Sequence, residues 1–99
     1  MEYITFMHKN KDSGATSATS EEWDRFFDLA KESGLFRGGS AMEQRFTIGG
    51  VEVPDITDHI GGYMRFDAES VDELTELLNQ HPTVIHGGTV EVCEMPKTS

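Results

Sequence analysis

The sequence predicts an α+β fold: one antiparallel sheet in the order β-α-β-β-α-β, with two helices on a single face. Three observations carry this. Alternating apolar segments stand at both ends of the chain and in its middle, two amphipathic helical patterns each open on a capping sequence, and glycine pairs punctuate the segments between them. A chain of 99 residues has room for one small core, so residues 1–99 are taken as a single domain.

Met1-Glu2-Tyr3-Ile4-Thr5-Phe6-Met7 is aromatic and β-branched and reads as a strand, with Glu2, Ile4 and Phe6 on one face. The stretch from Asn10 to Ser20 is small and polar, so it is expected to be a mobile loop (about 9–19). Thr19 and Glu22 then form a capping box. Trp23, Phe26, Phe27 and Ala30 follow at helical spacing and are read as core, and Gly34 closes the helix.

Leu35 to Met42 reads as a loose strand, its Gly38-Gly39 pair hinting at a bulge. Next comes a hairpin signal: Gln44 to Ile48, a Gly49-Gly50 turn of type I′, and Val51 to Val53 returning. Tyr63 to Asp67 alternates as a strand. Ser70 and Glu73 suggest a second capping box, opening a helix striped by Val71, Leu74, Leu77 and Leu78 that ends before Pro82. Thr89 to Met95 is the last strand. This order is the ferredoxin-like, split β-α-β pattern. Both helices lie on one side of such a sheet, so the other side is expected to be covered by a second copy in a homodimer.

Eighteen acidic against eight basic side chains leave a charge of −10, which excludes a nucleic-acid binder and argues against anionic membrane surfaces. No apolar run reaches the roughly 18 residues of a membrane span, and no signal peptide is expected. The single Cys93 suits a reducing cytoplasm.

Several short motifs recur in a particular order: Leu35-Phe36-Arg37-Gly38-Gly39, Ile60-Gly61-Gly62-Tyr63, Ser70-Val71-Asp72-Glu73-Leu74, His81-Pro82, and Gly87-Gly88-Thr89-Val90-Glu91-Val92. Together they resemble the YCII-related proteins, above all the branch named after its Asp-Gly-Pro-Phe motif, over about Met1 to Met95. The resemblance implies a ferredoxin-like dimeric α/β barrel with a small cleft of suspected enzymatic activity. Most members have no established reaction. One type is linked to dehydrochlorination of a chlorinated aromatic, a chemistry not carried over to this chain. The Asp-Gly-Pro-Phe motif itself is absent; Val53 to Asp58 is a shortened version, with Asp58 in the place of the acidic residue before Gly-Gly. In the better-known branch, a His on the first helix and an Asp beside a Pro after the second form the suspected catalytic pair. Here Glu21 to Ser33 holds no His, and His81 precedes Pro82, so that pair is not transferred.

Candidate chemistry rests on four histidines, His8, His59, His81 and His86. His59 with Asp58 and Asp55 is the densest acid–imidazole cluster. His59 is the expected base or acid and Asp58 or Asp55 its electrostatic partner, although a solvated polar loop explains the same residues. His81 reads as a helix C-terminus, where the dipole favours its cation. His86 stands before Gly87-Gly88, small enough for close approach of a ligand, and a turn explains those glycines equally well. Tyr63 and Arg65 share a strand face and are candidates for holding a carboxylate or aromatic ring. His8 reads as an exposed strand end.

No metal motif, phosphate loop or nucleophile elbow is present, so neither metal nor cofactor is expected. The sequence thus points to a small cytoplasmic protein binding a small organic molecule in a cleft between sheet and helices. His59 and Asp58 would be catalytic, with Arg65, Tyr63, His81, His86 and Asp55 binding. The competing expectation is a non-catalytic ligand-binding or protein-interaction module on the same dimer.

Overall fold

The computed structural model describes residues 1–9, 18–54 and 57–96. The chain runs β1 (Glu2–His8), α1 (Ser20–Ser33), β2 (Phe36–Ala41), β3 (Ile60–Asp67), α2 (Val71–Leu78), α3 (Pro82–Ile85) and β4 (Val90–Met95). The strands order β2-β3-β1-β4, with every neighbouring pair antiparallel. This is the ferredoxin-like α+β arrangement. Most of the expected mobile loop lies outside the described residues.

Strand alternation assigns the two faces. Tyr3 and Thr5 of β1 stand in register with Phe66 and Met64 of β3 and point to the helices. Between and beside them, Glu2, Ile4 and Phe6 align with Asp67, Arg65 and Tyr63, and with Met95, Cys93 and Glu91, on the opposite face. Tyr3, Met64 and Phe66 bury against Phe26 and Ala30 of α1 and Leu74, Leu77 and Leu78 of α2. Thr5 enters this core because its hydroxyl donates to the Met64 carbonyl at 3.0 Å.

The helix starts follow their sequences closely. Thr19 caps α1 in a closed capping box, and Gly34, at φ +75°, ends it with its N–H on the Lys31 carbonyl. At α2 the box is only half made. Glu73 N–H donates to Ser70 Oγ at 3.2 Å, but the Glu73 carboxylate accepts from Glu69 N–H, one residue before the cap. Val71, placed in the apolar stripe by sequence, is exposed because it occupies the first helical position, outside the overlap with the sheet. The expected bulge in β2 is present, between Phe36 and Gly38.

Two expectations are corrected. Residues 44–53 form no hairpin: none of them belongs to a strand, and only Gly49 of the glycine pair has positive φ. Phe46, Ile48, Val51 and Val53 are 81%, 101%, 83% and 60% exposed. A two-stranded ribbon with neither a third strand nor a packed face is marginal in water, so alternation alone does not close it. The segment is instead tied down by Arg45, whose guanidinium donates to the carbonyls of Glu43, Thr57 and Ile60.

The second correction concerns His81. It does not sit as a cation on a helix C-terminus. It is fully buried and caps the N-terminus of α3, with Nδ1 accepting from Thr83 N–H at 3.1 Å and Pro82 at the first helical position. Burial pushes its pKa down to about 4.

Candidate functional site: an aromatic cleft with two imidazole–carboxylate pairs

A cavity of about 560 Å³ opens between α1, the β1–β3–β2 sheet and the turn after α3. Its wall comes from a division within the α1 stripe. Residues four apart stack in rows along a helix. The Phe26–Ala30 row meets the sheet and is buried, while the neighbouring Trp23–Phe27 row faces the cavity and is only half-buried. The stripe is therefore not all core, as the sequence suggested. Phe27 continues into Phe36 of β2 (centroids 6.1 Å apart), and Phe36 into the core ring of Phe66 (5.7 Å). Met7 and Met64 complete an apolar interior.

One wall is polar. Glu22, in the first turn of α1, uses Oε1 to accept from the Thr19 backbone N–H at 3.2 Å and from its hydroxyl at 3.1 Å. Its other oxygen lies 2.7 Å from His86 Nε2, in a half-buried pair. The hydrogen bond from His86, then that from the Thr19 backbone, hold the Glu22 carboxyl below its ordinary pKa, against the opposing effect of burial. An ionised carboxylate only accepts, so His86 Nε2 carries the proton in this hydrogen bond. His86 lines the cavity at the end of α3. The glycines after it serve the turn: Gly87 has φ +85°, and a Cβ on Gly88 would lie 2.8 Å from Thr83 Cγ2.

A second pair stands at the end of β1. His8 Nε2 lies 2.7 Å from Glu91 Oε1 of β4, and its ring stacks on His59 with centroids 5.0 Å apart and planes 18° from parallel. His8 also lines the cavity, beside Lys9.

The residues nominated by sequence are distributed unevenly about this site. His86 lines the cavity, and Tyr63 borders it from a strand position whose side chain belongs to the helix-free face. His59 meets it only through His8, and Asp58 is exposed. Arg65 is exposed on the helix-free face, and His81 lies beneath the wall, its ring 5.0 Å from that of Trp23 and 4.6 Å from that of Phe26. Asp55 lies outside the described residues. Glu22, His8 and Glu91 were not nominated. Glu22 was fully explained as a cap, and nothing local in sequence joins it to a histidine 64 positions away. Among the described residues no group of three or more His, Cys, Asp or Glu is placed to hold a metal ion.

The chain matches a solved structure over nearly its whole length. The 5-chloro-2-hydroxyhydroquinone dehydrochlorinase TftG from Burkholderia phenoliruptrix AC1100, in complex with 2,5-dihydroxybenzoquinone, aligns with a TM-score of 0.55 at 16% identity, covering 99% of this chain and 96% of that one. The likeness is one of fold. No family model and no curated protein matches the sequence. Among the described residues no helix is long and apolar enough to cross a membrane.

Proposed function

We propose that this protein, a YCII-related cleft protein, binds a small planar organic molecule between Trp23, Phe27 and Phe36, and moves a proton on it through His86. The observation that carries the proposal is the 2.7 Å His86–Glu22 pair at the wall of a largely apolar, aromatic-lined cavity. A volume of about 560 Å³ suits a small ligand. A carboxylate on one imidazole nitrogen orients the ring and stabilises the imidazolium formed when the other nitrogen takes a proton. The lowered pKa of Glu22 keeps that partner anionic. The pairing also exchanges the places of the couple suspected in the resembled family: here the acid is on the first helix and the imidazole follows the second.

The test uses 2,5-dihydroxybenzoquinone, the molecule bound by the structural neighbour. Trp23 is the chain's single tryptophan and lines the cavity, so its fluorescence reports occupancy. Saturable quenching, after correction for quinone absorbance, supports binding; quenching that only rises linearly overturns it. Loss of the quinone ring C–H signal in heavy water, followed by proton NMR, reports proton transfer. Its rate should fall about 100-fold in His86→Gln.

Self-association belongs to the same proposal. A second copy covering the helix-free sheet face would shelter Ile4, Phe6 and Tyr63, all only half-buried in the single chain. A cytoplasmic location fits the lone, half-buried Cys93 thiol.

A further inference from the structure

His81 is a fully buried imidazole that the proposed chemistry does not use. Its Nδ1 accepts from Thr83 N–H at the start of α3. Burial keeps the ring neutral near neutral pH, so its one proton stands on Nε2. Among the described residues that nitrogen has no hydrogen-bond partner. A buried donor without an acceptor is rare, because it has given up water for nothing. Asparagine would cap the turn as well, but it has no ring. Phenylalanine has the ring and no acceptor. The position uses both: the His81 ring meets that of Trp23 nearly at right angles, centroids 5.0 Å apart, and lies 4.6 Å from that of Phe26. Histidine supplies cap and ring together, and the orphaned Nε2–H is what that combination costs.

Two side-chain contacts hold α3 against α1, one at each end of a single helical turn. His81 stands at its start against Trp23 and Phe26, and His86 at its end, 2.7 Å from Glu22. The turn between them is closed by Ile85 N–H on the His81 carbonyl at 3.0 Å and by His86 N–H on the Pro82 carbonyl at 3.1 Å. Its two ends therefore move together. Glu22 and Trp23 are consecutive in α1, so both contacts fall on the same stretch of that helix. We infer that His81 is the positioning residue of the site: packed against Trp23 while capping α3, it fixes the aromatic wall and the turn that brings His86 to Glu22. It lies behind the wall and acts through those side chains. Its effect on catalysis rests on the binding and proton-transfer proposal above, whereas its effect on the His86–Glu22 pair does not.

Nitrogen NMR of the imidazole rings in the ligand-free protein tests this. In wild type His81 should show the Nε2–H tautomer, with contacts from its ring protons to Trp23. The Nδ1–H tautomer would mean that His81 does not cap α3, and it overturns the inference without any variant. His81→Asn keeps a capping oxygen without the ring, and His81→Phe keeps a ring without the acceptor. In each variant that stays folded by far-ultraviolet circular dichroism, the His86 Nε2 resonance should leave its wild-type position. The near-ultraviolet signal of Trp23 should change in His81→Asn. A loss of stability alone moves neither signal. A folded variant with both signals as in wild type overturns the inference. In the quinone exchange assay the variants should run roughly 10–100-fold slower while Trp23 quenching still saturates. An unchanged rate in a variant whose His86 resonance has moved overturns the catalytic consequence. Absence of exchange in wild type overturns the proton-transfer proposal and not the placement of His86 read by NMR.

Discussion

Glu22 Oε2 lies 2.7 Å from His86 Nε2, joining the first turn of α1 to the residue that ends α3. The same carboxylate closes the helix cap through its other oxygen, so a local folding signal and a candidate catalytic pair share one side chain. Their contributions separate by mutation. Thr19→Ala removes the cap and should cost about 1 kcal/mol of stability, read by urea unfolding. Glu22→Gln retains an acceptor oxygen for the cap but loses the charge facing His86. It should lower quinone exchange far more than it lowers stability.

His81 sets an acid limit on the fold. Its native pKa of about 4 is below the ordinary value of 6.5, so the native state binds fewer protons than the unfolded chain and acidification favours unfolding. This contribution is complete above pH 6.5 and is lost progressively down to pH 4, amounting to about 2–4 kcal/mol. Protonation also costs α3 its cap, because Nδ1 can no longer accept from Thr83 N–H. His81→Asn keeps a capping oxygen and does not titrate. Urea midpoints measured at pH 7 and pH 4.5 should converge in that variant relative to wild type.

The core should respond where the sheet meets the helices and not at the helix start. Phe66 is fully buried, and Phe66→Ala should cost about 3–5 kcal/mol. Val71→Ala should stay within about 0.5 kcal/mol, since that side chain is exposed. Denaturant unfolding of the two variants reads the contrast directly.

The segment carrying Phe46 and Ile48 tests self-association. Replacing both with Ser should leave thermal stability nearly unchanged, because both are exposed in the single chain. If these side chains are sheltered between copies, light scattering should show the double variant shifted toward monomer. A mass identical to wild type would remove them from any interface.

Elements governed by near neighbours were legible from sequence. Thr19, Glu22 and Gly34 bound α1 through contacts within four residues, and alternation in β1 and β3 predicted which side chains share a face. The 44–53 segment carries an equally clear hairpin pattern and forms none, because strand pairing needs a packed face that alternation does not supply. The site was legible only in fragments. His86 was nominated and lines the cavity, Tyr63 borders it from the helix-free face, and the densest cluster in sequence, Asp58-His59, is not the one that frames it.

What the sequence determined by itself was the order of elements, their caps and the face each side chain shares, because those depend on periodicity and hydrogen bonds a few residues long. Tertiary structure alone decided which acid meets which imidazole. Glu22 and His86 are 64 positions apart, and Glu91 and His8 are 83 apart. Glu22 meets His86 where α1 packs against α3, and Glu91 meets His8 where β4 pairs with β1, so the geometry of each pair is set by tertiary packing.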